Sequence, residues 1–153
     1  MVRKVNLKMK NNFYSSENTE KITHSNPNFQ KIKNPNDLYN ALCNIWCEYS
    51  CAPRMRDNWS EDDKTLGQCS ITSFLAQDIF GGKVFGILRD DGSIHCYNQV
   101  GDIKFDLTSE QFHGESLDYN NNPEQFREIH FKKEEKRLRY EYLKSELEKF
   151  MKR

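Results

Sequence analysis

A thiol becomes a useful nucleophile when its thiolate is stabilised and a base stands within reach. Cys69 meets the first requirement on sequence grounds. It follows Gly67-Gln68 and opens a run with helical spacing of apolar residues, Ile71, Phe74, Leu75 and Ile79. A helix N-terminus carries free N–H groups and the positive end of the helix dipole, which lower a thiol pKa and can hold an oxyanion. The second requirement points to His95 and Asp106. Gly101-Asp102 reads as a tight hairpin turn. With Val100 opposite Ile103, Tyr97 faces Asp106 and His95 faces Thr108. His95, Tyr97, Gln99, Lys104, Asp106 and Thr108 then share one sheet face, and Ile94, Cys96, Val100, Ile103, Phe105 and Leu107 the other. His95 and Asp106 become diagonal neighbours with a Cα separation of roughly 5–8 Å. A slip of one residue would put them on opposite faces. The expected division of labour is that of a triad: Cys69 attacks, His95 moves the proton, and Asp106 fixes the imidazole tautomer.

The other thiols and imidazoles carry less. Cys43, Cys47 and Cys51 fall at i, i+4 and i+8, an arrangement expected along one helix flank. The close C-x-x-C pairs of a zinc site are absent, so no metal and no cofactor is expected. Cys96 is expected in the core, and His24, His113 and His130 on the surface.

The elements that must position these groups are legible as punctuation. Asn34-Pro35-Asn36-Asp37 signals a helix start, with Asn36 or Asp37 as the cap. Leu38, Ala41, Leu42, Ile45, Trp46 and Tyr49 form its apolar face, and Ala52-Pro53 ends it. The Cys69 helix stops at Gly81-Gly82. Strands are expected over 83–89, 94–100 and 103–108, with Asp90-Asp91-Gly92-Ser93 as the first turn. Asn120-Asn121-Asn122-Pro123 signals a last helix over about 124–153, striped by Leu138, Tyr142, Leu143, Leu147, Phe150 and Met151. This order, two helices, a meander and a long C-terminal helix, predicts an α+β class with a Cys-bearing helix packed on a small antiparallel sheet.

The chain has 153 residues, enough for one core. Residues 36–153 are expected to form one domain, with 120–153 as its C-terminal helical segment. Residues 1–35 are rich in Asn, Ser and Lys and are expected as a flexible extension or an added edge strand. Net charge is zero, and the Lys132–Arg137 run mixes signs, so neither nucleic acid nor a membrane surface is an expected partner. The basic start lacks an apolar run of signal length, and no stretch is long enough to cross a bilayer. The five cysteines are therefore expected to be reduced, in a cytoplasmic protein. The C-terminal stripe would pack within the chain as a monomer, or on a second copy as a homodimer.

Four runs carry a family resemblance: Gly67-Gln68-Cys69-Ser70-Ile71-Thr72, Gln77-Asp78-Ile79-Phe80-Gly81-Gly82, His95-Cys96-Tyr97-Asn98, and Asp106 through Phe112. They resemble the YunG-like family of small bacterial proteins, with its GQC-x-x-T helix, DxFGG turn, H-x-[WY]-N strand and DLT-x-x-QF segment. The likeness covers about residues 38 to 112 and implies a module rather than an activity. At a greater distance, the Cys–His–Asp order resembles the papain-like and transglutaminase-like core. There Cys opens a helix, and His and Asp lie on successive antiparallel strands. Asp106-Leu107-Thr108 is similar to the Asp-Pro-Thr of transglutaminase-like proteins, with Leu in place of Pro.

The wider resemblance implies an oxyanion-hole side chain upstream of Cys69, with Gln68, Trp46 and Trp59 as candidates. Trp46 fits the core better, since it falls in an apolar stripe. Gln68 adjoins Cys69, unlike the more distant Gln of papain-like enzymes. Asn98 and Gln111 would hold the strands or line the cleft. The expected function is a cysteine-dependent hydrolase or acyl transferase acting on a peptide, amide or thioester substrate, with peptidase, amidase, deamidase and transglutaminase-like chemistry all within the class. The alternatives are a non-catalytic binding module that retains the fold, and a structural or redox role for the clustered thiols.

Overall fold

Helix α2, Cys69–Phe80, owes its place to a sequence apolar nearly all round: Ile71, Phe74, Leu75, Ala76, Ile79 and Phe80 are all buried. It lies between two partners, the sheet on one side and the C-terminal helix on the other. The structure, a computed structural model, describes residues 11–23 and 25–153.

The sheet is antiparallel with strand order β3-β2-β1-β4. Strand β1 is Lys83–Leu88, β2 Ile94–Val100, β3 Ile103–Phe105 and β4 Glu124–Gln125. The hairpin register is the expected one: Val100 faces Ile103, Gln99 faces Lys104 and Asn98 faces Phe105. Cys96 and Asn98 turn toward α2, where the Asn98 amide donates to the Ser73 carbonyl at 2.9 Å. His95 and Tyr97 turn the other way. That face is polar in sequence yet buried, because the loop after β3 folds over it.

Three elements differ from expectation, each for a local reason. Strand β3 ends at Phe105, not Thr108. The Asp106 carboxylate accepts from the Thr108 N–H at 3.2 Å, an Asx-type turn that competes with the ladder, and Asp106 makes a single bridge to Tyr14 instead. Helix α1 runs only over Pro35–Leu42, capped by Asn34, whose side chain accepts from the Asp37 N–H at 3.0 Å. The Lys64 ammonium donates to the Cys43 carbonyl at 2.7 Å and satisfies an end group of that helix. The chain then proceeds in turns, leaving Tyr49 exposed and Cys43, Cys47 and Cys51 off any common helical flank.

The third difference is the 124–153 segment. Pro123 begins no helix: its carbonyl accepts from the Gly86 N–H at 3.0 Å, and Glu124–Gln125 covers the outer edge of β1. A Cβ at Gly86 would run into the Ile94 side chain and lie 2.9 Å from Gln125 Cδ, so glycine suits this crowded position. Short α3, Arg127–His130, and long α4, Glu134–Met151, follow. On α4, Leu143 and Leu147 are fully buried against the core, while Leu138 is 41% exposed. Its neighbour Arg139 is the buried residue: it pairs with Glu135 at 2.8 Å and donates to the Ser50 carbonyl at 3.0 Å.

Val2, Val5, Leu7 and Met9, whose alternation in the sequence suits an edge strand, lie outside the described residues, as does His24. Between 11 and 35 the chain forms short 3-10 turns that bury Phe13, Ile22, Phe29 and Ile32 in the core. Among the described residues, no helix is long and apolar enough to cross a membrane.

Candidate functional site

Cys69 is the first residue of α2, and its Sγ lies 3.8 Å from the Ile94 carbonyl oxygen at the start of β2. Two features fix it there. Gly67 takes a left-handed φ of 71°, and a Cβ on it would stand 2.5 Å from Cys51 Sγ. The Gly67 N–H donates to the Gln111 side chain at 3.4 Å, and the Gln111 amide donates to the Thr108 carbonyl at 3.0 Å. Gln111 thus ties the loop before the thiol to the segment that carries Asp106.

His95 is 3% exposed and Asp106 1%. The imidazole Nε2 is 2.6 Å from Asp106 Oδ2, which leaves Nδ1 as the ring nitrogen for Cys69. Asp106 is itself held: the Tyr119 hydroxyl donates to Oδ2 at 2.7 Å, and Thr108 donates to Oδ1 through its N–H. The Phe112 ring meets the imidazole edge-on, with centroids 4.7 Å apart. His95 thus stands between two partners, the Asp106 carboxylate and the Cys69 sulfur.

The electrostatics follow from that chain. The Cys96 thiol, in hydrogen-bond contact with the Cys69 sulfur, is the strongest influence holding Cys69 well below the usual thiol range. Burial works against it, and the hydrogen bond and charge of His95 add to it. The contact and burial push Cys96 well up in turn, so the proton of the pair belongs to Cys96. For His95, burial favours the neutral ring, but the charge and hydrogen bond of Asp106, with those of Cys69, push its pKa up to about 10. The two shifts run in opposite directions, Cys69 down and His95 up, and both favour a thiolate beside an imidazolium.

Beside the pair lies a cavity of about 800 Å³, lined by Cys69, Ser70, His95, Gln111 and Phe112 among others. Cys69 and Ser70 are the first residues of α2, so their N–H groups have no intrahelical acceptor. An oxyanion formed at the Cys69 sulfur would meet donors there.

The other candidates are distributed differently. Gln68 is fully buried: its amide donates to the Cys47 carbonyl at 3.1 Å, and its Oε1 has no partner among the described residues. It faces away from the cavity and cannot supply an oxyanion donor. Trp59 donates to the Lys64 carbonyl at 3.0 Å and lies outside the cavity wall. Trp46 sits in the core and donates to Thr72 Oγ1 at 3.0 Å. Asn98 holds β2 to α2, and of the proposed cleft residues Gln111 lines the cavity. Cys43 and Cys47 are half-buried and Cys51 buried, all as free thiols, and no cluster of three metal-ligating side chains occurs among the described residues.

Sequence reasoning missed several residues at the site. Tyr119 and Phe112 arrive on the loop after β3, for which the sequence has no periodic signal. Cys96 was assigned to the core, and it is buried there; its contact with Cys69 depends on how α2 docks on β2. His130, expected on the surface, is half-buried and lines the cavity with Lys136. His113 is exposed and lies 3.4 Å from Asp63.

A family model described as YunG protein matches residues 34–152, from the cap of α1 to the residue that follows α4. The Uncharacterized protein YunG of Bacillus subtilis (strain 168) is 44% identical over 54 residues, which is 35% of this chain and 46% of that protein. The chain thus aligns to about half the length of this curated relative. No solved structure matches.

Proposed function

The chain belongs to the YunG family, and from that premise we propose that it is a cysteine-dependent hydrolase or acyl transferase acting on an amide or thioester. The observation that carries the reading is the contact chain from Cys69 at the start of α2, through His95, to an Asp106 carboxylate 2.6 Å from Nε2. The order of elements, a Cys-bearing helix, then a His on a strand and an Asp just past the next antiparallel strand, resembles that of a papain-like or transglutaminase-like core.

The thiolate of Cys69 adds to the carbonyl carbon, and the Cys69 and Ser70 N–H groups receive the developing oxyanion. The tetrahedral species collapses as the bond to the leaving nitrogen or sulfur breaks, and His95 Nδ1 gives that atom its proton. The product is a thioester on Cys69. Water or an amine then adds to it, His95 takes up the incoming proton, and expulsion of the thiolate restores the pair. Asp106 keeps Nε2 protonated throughout and orients the ring.

The test is capture of the acyl-enzyme. Incubation with a small-molecule thioester or activated amide is expected to add one acyl group, located at Cys69 by peptide mass spectrometry and released by hydroxylamine. Cys69→Ala should abolish the adduct and His95→Ala should slow its formation at least tenfold. An adduct spread over the cysteines in proportion to exposure, or one that forms equally fast in His95→Ala, would refute the reading.

A further inference from the structure

The wall of the cavity beside Cys69 is richer in cations than in acids, and two of those cations lack an acidic partner. Arg54 lies 3.8 Å from Asp91, Arg89 takes Glu115 at 3.0 Å, and Arg139 takes Glu135 at 2.8 Å. The other acid in the first turn of α4, Glu134, turns to Arg137 at 3.8 Å. That leaves Lys133 and Lys136, which line the cavity and pair with no carboxylate among the described residues.

Lys136 is the more constrained. It is half-buried, and its Nζ lies 2.9 Å from His130 Nδ1. The other nitrogen of that ring, Nε2, is 2.8 Å from Gln125 Oε1. The pattern has one consistent assignment. Gln125 Oε1 can only accept, so Nε2 carries the proton and Nδ1 accepts from the ammonium. Burial and the nearby Lys136 charge hold His130 neutral, pushing its pKa down to about 4. Lys136 is thus held by an uncharged acceptor, with two further N–H donors to offer and no counter-ion. A half-buried ammonium in that state is costly unless a ligand supplies the negative charge. Burial pushes the Lys136 pKa down, and the charges of Cys96 and Cys69 offset that only in part.

We propose that the acyl donor carries a carboxylate near its reacting carbonyl, and that Lys136, oriented by His130, receives it, with Lys133 adding charge at the rim. This rests on the reading of Cys69 as the nucleophile and names the substrate class of that site. Lys136 is a specificity-determining residue in this scheme, while the bond chemistry stays with Cys69 and His95.

Two alkylating reagents of nearly equal size test it: iodoacetate, which is anionic, and iodoacetamide, which is neutral. In both reactions the thiolate attacks the methylene carbon, the C–S bond forms, the C–I bond breaks and iodide leaves. Rates at Cys69 are measured on the pH plateau of thiolate formation, and their ratio is divided by the ratio for a small free thiol under the same conditions. The normalised iodoacetate preference is expected to be about fivefold or more at low salt and to fall toward one near 1 M salt. Lys136→Gln should remove most of it, Lys136→Arg should keep it, and exposed Lys133→Gln should lower it by about twofold. A variant that altered only the thiolate would change both reagents equally and leave the ratio in place. A normalised ratio at or below one in the wild type, or a ratio indifferent to Lys136→Gln and Lys133→Gln, would overturn the proposal. An ordinary thiol pKa at Cys69 with the preference intact would overturn the nucleophile reading and leave the anion site standing.

Discussion

Replacing Asp106 by Asn keeps the shape of the site and removes the charge behind His95. The His95 ring titrates at about 10 instead of 6.5, which corresponds to proton binding tighter by about 5 kcal/mol. Burial opposes that rise, so it is supplied wholly by two partners, the Asp106 carboxylate and the Cys69 sulfur. Asp106 acts through charge and through a hydrogen bond, and each is stronger than the matching influence of Cys69. At least half of the rise, about 2.4 kcal/mol, is therefore Asp106's, equal to about 60-fold in proton affinity. The pKa of His95 is expected to fall from about 10 to about 8 or lower in Asp106→Asn. The assay is an NMR pH titration of protein labelled with 15N in histidine, with the His95 signal assigned by its loss in His95→Ala. A midpoint within about half a unit of wild type would refute the assignment of the raised pKa to Asp106, as would a wild-type His95 that titrates near 6.5.

In the folded state the Cys69–His95 pair holds one proton over most of the neutral range, and the unfolded chain also holds one between 6.5 and 9.0, so the pair makes stability nearly level there. Below 6.5 the unfolded chain binds more protons than the thiolate–imidazolium pair and stability falls. In Cys69→Ala the His95 pKa stays raised by Asp106 alone, to less than about 10, and its contribution is fully present below 6.5 and lost as pH rises through that lowered value. The variant should therefore lose about 1–2 kcal/mol relative to wild type between pH 6.5 and 8, about 3–8 °C in Tm by calorimetry, and parallel Tm curves would contradict the ion pair. Gly67→Ala would place a Cβ 2.5 Å from Cys51 Sγ and 2.9 Å from the Ala52 nitrogen at a φ of 71°. It should cost about 2–4 kcal/mol by urea denaturation, and a loss under about 0.5 kcal/mol would show that the loop before α2 is not confined as described.

What the sequence by itself determined is the part governed by local rules. The apolar stripe and glycine stop delimit α2, so Cys69 at its first turn was legible. The two-residue periodicity of strands and the Gly101-Asp102 turn fixed the hairpin register, and with it the shared face of His95 and Asp106. Tertiary structure decided what has no local signal. Whether Glu124–Gln125 extends a helix or covers β1 depends on an open sheet edge that only the folded molecule has. Whether residues after Leu42 stay helical depends on Trp46 reaching Thr72 and on Lys64 taking the Cys43 carbonyl. The Asp106 carboxylate chose a turn over a strand because the Thr108 N–H, the Tyr119 hydroxyl and the His95 ring together satisfy it. Cys96 and Lys136 come from segments distant in the chain from Cys69, and their positions are set by the docking of α2 on β2 and of α4 on α2. Local spacing names the groups that can react; the neighbours that set their charge are chosen by packing, which brings together residues no sequence period relates.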